Sequence, residues 1–152
     1  MADPIFYEGH ISEAEIACPC CNLVWPDLRS NPIYSIFFAK LENLRAVTGF
    51  PILINKGGGC RCPRYQRHLI AAGKTEAMIS PHYFMAIDWD VSSVDQVRQL
   101  VKAVNEHYPD LRIGYAQYLN RGQTFVHLDE VYLVEFYPQP IGLEAWAKGT
   151  RW

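Results

Sequence analysis

Two histidines and an aspartate have the types and spacing that suit a metal ion. Ser80-Pro-His82-Tyr-Phe-Met-Ala86-Ile-Asp88 sets an imidazole in a loop and a carboxylate on the strand that leaves it. Much later, Phe125-Val-His127-Leu-Asp129 sets a second imidazole on another strand, with Asp129 following on the same face. Two imidazoles and one carboxylate are three protein ligands, which leaves the fourth position of a tetrahedral zinc open for water. Alternation along the first strand puts Ala86, Asp88 and Asp90 on one face, so Asp90 is an alternative to Asp88 as the third ligand. The competing reading needs no metal: two histidines near aspartates can be hydrogen-bonded pairs in a core.

The cysteines form a second constellation. Cys18 and Cys21 make a C-x-x-C pair and Cys60 and Cys62 a C-x-C pair, so the four could hold a structural zinc that ties the N-terminal arm to the Gly57-Gly58-Gly59 turn. Cys20 is left over in that arrangement, and disulfides or free thiols are the alternatives. No cysteine shares a motif with a histidine, which argues against a cysteine nucleophile. His10, His68 and His107 have no metal-like surroundings and read as surface or capping residues.

The elements that must position these residues follow from apolar spacing. Ser30-Asn31-Pro32 opens a helix whose buried face is Ile33, Ile36, Phe37, Leu41, Leu44 and Val47, and Gly49 closes it. Phe50 to Asn55 reads as a short buried strand, Pro63 to Ala72 as a helix stopped by Gly73, and Lys74 to Pro81 as a loop. Met85 to Val91 is a strand. Ser92 and Ser93 then cap a helix that buries Val94, Val97, Val101 and Val104. Strands are expected over Arg112 to Tyr118, Thr124 to Val131 and Tyr132 to Tyr137, with a turn at Asn120-Arg121-Gly122. This order predicts a single α+β domain over residues 1–152, an antiparallel sheet with helices packed on it, and a docked tail at 138–152 that carries Trp146 and Trp152.

Size and charge narrow the function. A chain of 152 residues, 49% hydrophobic and 20% charged, has enough material for one ordinary core. A net charge of −2 with no run of Lys or Arg lacks the footprint of a nucleic-acid binder. No segment is apolar over the length needed to span a bilayer, and no basic start followed by an apolar stretch marks a signal peptide. The expectation is a chain made in the cytoplasm that reaches any cell wall by another route.

The metal-like segments resemble the paired signatures of the zinc D-alanyl-D-alanine carboxypeptidase and peptidoglycan endopeptidase family, which is related in fold to lysostaphin and the hedgehog domain. The first signature of that family is S-x-H-x-x-G-x-A-x-D, matched here by Ser80, His82, Ala86 and Asp88. In one branch the third ligand lies in F-V-H-x-D, matched by Phe125, Val126, His127 and Asp129. Further segments resemble the same family in the same order: the cysteine-containing stretch Ser12 to Asn22, the helix at Leu41 to Arg45, the turn Gly59-Cys60-Arg61-Cys62-Pro63, and the strand Ile113-Gly114-Tyr115. The resemblance spans residues 12–131.

The resemblance implies a zinc-dependent hydrolase of D-amino-acid-containing peptidoglycan bonds, of endolysin or carboxypeptidase type. Its substrate would be a peptidoglycan peptide, and a phage particle or lysis apparatus would be its partner. His82, Asp88 and His127 would hold the zinc, and Arg61 would bind the peptide carboxylate or polarise the scissile carbonyl. The ligand loop is one residue shorter than the family's, and Phe84 or Met85 replaces its glycine. The family's general base precedes the third ligand, where this chain has Thr124 and Phe125, neither of which can accept a proton. Asp129 is the nearest replacement by sequence, with Glu130 and Glu135 behind it, and the alternative role for Asp129 is to orient His127. These departures support a second expectation, a weak or inactive metal-binding module that keeps the fold for binding or structure.

Overall fold

The computed structural model describes residues 9–75 and 80–131. The order of elements is α1 (Glu13–Ile16), α2 (Pro32–Thr48), β1 (Leu53–Ile54), α3 (Pro63–Ala71), a 3-10 turn (Pro81–Tyr83), β2 (Ala86–Asp90), α4 (Val94–His107), β3 (Arg112–Gly114), α5 (Ala116–Leu119) and β4 (Phe125–Asp129). The expected strand at 132–137 and the tail at 138–152 lie outside the described residues. No helix among the described residues is long and apolar enough to cross a membrane.

Local chemistry sets the helix ends. Asn31 caps α2 by accepting the Ile33 N–H at 3.1 Å, Pro32 occupies the first turn, and Gly49 closes the helix at a φ of 75°. Ser93 caps α4 through the Gln96 N–H, and Cys62 caps α3 through the Tyr65 N–H. The short α1 begins where Glu15 accepts the backbone N–H of Ser12 at 2.6 Å.

The four strands form one antiparallel sheet in the order β1-β2-β4-β3. Its two faces differ in kind. Ile87, Trp89, Val126, Leu128 and Ile113 join Phe37, Phe38, Leu41 and Leu44 of α2 and Val97, Leu100 and Val104 of α4 in one buried apolar cluster. Each large side chain buried there is worth about 1.5–3 kcal/mol, so this face holds the sheet and helices together. The alternate positions, Ala86 and Asp88 on β2 and His127 and Asp129 on β4, necessarily take the other face.

Three expectations for the strands are corrected. β1 is two residues long rather than six, and it is an edge strand with Leu53 54% exposed rather than a buried one. Pro51 has no N–H to give a ladder, which shortens that edge. The strand expected over Arg112 to Tyr118 ends at Gly114. Ala116-Gln-Tyr-Leu119 then turns helical, and Gly122 at a φ of 75° reverses the chain toward β4.

Candidate metal centre

Register brings the site together. Asp88 on β2 lies directly across from His127 on β4, and Asp129 lies between Ala86 on one neighbour and Arg112 on the other. The 3-10 turn delivers the third side chain: Ser80 accepts the His82 N–H at 3.2 Å, and the His82 carbonyl is held by Trp25 Nε1 at 3.1 Å and the Arg61 N–H at 3.0 Å.

The three candidate ligands meet as the sequence predicts. Asp88 Oδ1 is 2.9 Å from His127 Nδ1 and 3.3 Å from His82 Nε2, and the imidazole rings stand edge-to-face with centroids 4.9 Å apart. One atom from each of the three residues falls within a mutual 4.8 Å. Tetrahedral bonds of about 2.0–2.1 Å place neighbouring ligand atoms roughly 3.4 Å apart, so the donor set fits a zinc-sized ion with small adjustments. His82, Asp88 and His127 are only 3%, 4% and 3% exposed.

The far side of each ring is fixed. His82 Nδ1 lies 2.7 Å from the Gly59 carbonyl oxygen, which leaves Nε2 facing Asp88. His127 Nε2 lies 2.7 Å from Asp129 Oδ2, which leaves Nδ1 facing Asp88. Asp129 is fully buried, and Arg112 Nε lies 3.3 Å from its other oxygen. A carboxylate or carbonyl behind each ligating imidazole is the arrangement that sets the tautomer in metal sites.

Charge is balanced within the cluster. Burial opposes ionisation of Asp88, but the two histidines beside it overcome this and hold its carboxyl below the usual carboxylate range. His82 is held down to about 4 by burial and then by the Arg61 guanidinium, against the pull of Asp88. Burial also opposes protonation of His127, yet hydrogen bonds to Asp129 and Asp88 raise its pKa above the ordinary value. His82 is therefore a ready neutral ligand near neutral pH, while the carboxylates on either side of His127 favour its protonated form, which competes with a cation for Nδ1.

Asp90 does not join the group. It lies a full pleat repeat beyond Asp88, about 6.6 Å along the strand, and accepts a hydrogen bond from Asn55 Nδ2 at 3.1 Å. Arg61 is not a solvated loop residue: its Nη2 is 3.3 Å from Asp88 Oδ2, its Nε donates to the Gly57 carbonyl and its Nη1 to Gln66. Thr124 donates to the Val91 carbonyl and Phe125 stacks on Tyr118. Glu130 pairs with Lys40 at 2.6 Å, and Glu135 lies outside the described residues.

The cysteines assemble differently from expectation. Cys18, Cys21 and Cys62 bring their sulfurs within 4.8 Å of one another, but Cys60 is not in that group. Cys60 is buried within the apolar cluster, and burial pushes its thiol up to about 12. All five cysteines are free thiols.

Sequence reasoning missed Arg112 and the Gly59 carbonyl. The signal for Arg112 was an arginine opening a strand of otherwise apolar residues, where a buried guanidinium requires an anion. A backbone carbonyl gives no signal of its own, although a Cβ on Gly59 would meet the Ile16 carbonyl oxygen at 2.5 Å, and this is why a glycine stands there. Comparison of the chain with protein-family models, curated proteins and solved structures gives no match.

Proposed function

We propose that this chain is a zinc-dependent peptidase acting on D-amino-acid-containing peptides of bacterial peptidoglycan. The observation that carries the reading is the convergence of His82 Nε2, His127 Nδ1 and Asp88 Oδ1 on one point, each ring braced from behind. Two imidazoles and one carboxylate are the donors of hydrolytic zinc sites, which keep one position open. The ordered motifs from Ser12 to Val131 supply the substrate class, by resemblance.

Zinc bound there would supply a Lewis acid that makes water nucleophilic near neutral pH. His82, Asp88 and His127 would hold it. Arg112 and Asp129 keep the His127 ring oriented, and Arg61 steadies Asp88. Three of the five N–H groups of the Arg61 guanidinium are used by Asp88, Gly57 and Gln66, and the others are assigned to the oxygen of a bound peptide. Asp129 is assigned the positioning role, because its oxygen meets the nitrogen of His127 that faces away from the ligand cluster.

Two observations favour a second reading, a metal-binding module without turnover. The three ligands are nearly closed to solvent, and Thr124 and Phe125 occupy the places of the family's base. Incubation of the zinc-loaded protein with purified peptidoglycan and with D-Ala-D-Ala-terminated peptides separates the two. The peptidase reading expects release of D-alanine or new amino groups, abolished by chelator and restored by zinc. Stoichiometric zinc with no cleavage of either substrate would select the module.

A further inference from the structure

The thiol cluster lies outside the histidine centre and is built as a site of its own. The Cys18 N–H donates to the Leu23 carbonyl at 2.9 Å and the Asn22 N–H to the Cys18 carbonyl at 2.8 Å. Asn22 takes the left-handed φ of 59° that lets this turn close. The turn folds Cys21 back beside Cys18, and Cys62 arrives from the far end of the glycine-rich loop. The sulfurs of Cys18, Cys21 and Cys62 lie within 4.8 Å of one another, where a tetrahedral zinc with bonds of about 2.3 Å would place them roughly 3.8 Å apart.

Two further features point to thiolates. The Cys62 N–H donates to Cys18 Sγ at 3.3 Å, and the Tyr65 N–H at the start of α3 donates to Cys62 Sγ at 3.5 Å. N–H donors aimed at sulfur favour the charged form that ligates metals. Neither Cys20, exposed on the same turn, nor Cys60, buried among apolar side chains, has its sulfur inside that group.

We propose that Cys18, Cys21 and Cys62 bind one structural zinc-class ion, with Cys20 on the same turn supplying the fourth thiolate, and that this ion fastens the loop over residues 57–62 to the segment around α1. The thiol protons pass to solvent as the ion binds, and no redox step is involved. The consequence reaches the histidine centre, because that loop carries Arg61 and the Gly59 carbonyl, and the Cys60 N–H already bonds the Ile16 carbonyl at 2.7 Å. Sequence spacing nominates Cys60 as the fourth ligand, but its burial among apolar side chains favours the exposed Cys20 in that place.

Cobalt(II) added to the reduced, metal-free full chain tests this separately from the histidine centre, since only sulfur ligands give an intense sulfur-to-cobalt charge-transfer band. One equivalent should produce the band, and it should persist in the His82→Ala/His127→Ala protein and in Cys60→Ser. Cys20→Ser should weaken it by about a quarter, as expected for loss of one of four thiolates, whereas Cys62→Ser removes the thiolate that the loop arm supplies and should lower affinity until one equivalent of cobalt no longer gives the band. Cys18→Ser gives the same loss through the other arm if Cys62→Ser proves unfolded. Absence of the band in the wild-type chain would overturn the site. So would an intact mass lacking two hydrogens together with thiols that react only after reduction, which identifies a disulfide. A band that survives Cys20→Ser intact and is lost in Cys60→Ser would overturn the assignment of the fourth ligand.

Discussion

Asp129 grips the side of the His127 ring that faces away from the ligand cluster: its Oδ2 lies 2.7 Å from Nε2, while Nδ1 points at Asp88. Strand alternation puts both residues on one face of β4, and Arg112 across the ladder neutralises the buried carboxylate. The chain Arg112–Asp129–His127 thus ends on the nitrogen offered to a metal. Asp129→Asn is expected to weaken zinc binding about 10–100-fold in a competition with a chromophoric chelator. At saturating zinc its kcat should be nearly unchanged. A collapse of kcat with zinc affinity intact would instead make Asp129 the proton shuttle.

Arg112→Met removes the guanidinium beside the buried Asp129 carboxylate and leaves it His127 as an ion partner at 2.7 Å. The expected loss of stability is about 3–5 kcal/mol in urea titration, because a broken buried pair costs far more than a surface one. A loss below about 1 kcal/mol would mean that Arg112 is not the partner that matters.

The glycine loop has no room for a side chain, and Gly59 is the position where the consequence reaches the metal centre. Gly59→Ala drives a methyl group into the Ile16 backbone at 2.5 Å, and the backbone shift should cost about 1–3 kcal/mol. It also moves the carbonyl that orients His82, so zinc affinity should fall alongside stability. Gly73→Ala, where nothing lies within 4 Å but φ is 72°, should cost stability without touching zinc affinity.

The metal-free protein should be most stable near pH 6.5. His82 is depressed to about 4 when folded, so between about 4 and 6.5 the unfolded chain binds more protons and stability rises with pH. His127 is raised when folded, so its contribution is complete below about 6.5 and fades as pH climbs through its folded pKa. Asp88 is lowered, so its contribution is present above the ordinary carboxylate range and is lost in acid. Each limb can reach about 1.4 kcal/mol per pH unit. Chelator-treated protein followed by urea midpoints from pH 4 to 9 reads this directly, and a monotonic profile would contradict it.

Parts of this arrangement were legible in the sequence because they are local. Asn31, Pro32 and Gly49 bound α2, and Ser93 bounds α4, through capping chemistry that depends on a few neighbouring residues. The grouping of His82, Asp88 and His127 was legible because each sits in a motif. The choice of Asp88 over Asp90 was not, since both share a face and only the register opposite His127 distinguishes them. Fourth-ligand geometry among the cysteines was equally hidden, because C-x-C spacing does not say which thiol turns into the core. The break after Gly114 depends on Tyr115 and the reversal at Gly122, where strand and helix tendencies of Tyr115 to Leu119 are nearly balanced and tertiary packing decides.

The claim on which the rest depends is that His82, Asp88 and His127 hold a metal ion, and zinc stoichiometry tests it most directly. Wild-type protein and the His82→Ala/His127→Ala variant, both folded by far-ultraviolet dichroism, are dialysed against excess zinc, washed, and analysed for bound metal. The variant should carry one zinc per chain fewer than the wild type, whatever the thiol cluster retains in both. Equal zinc content in the two proteins would contradict the metal centre and leave these residues as a buried hydrogen-bonded core.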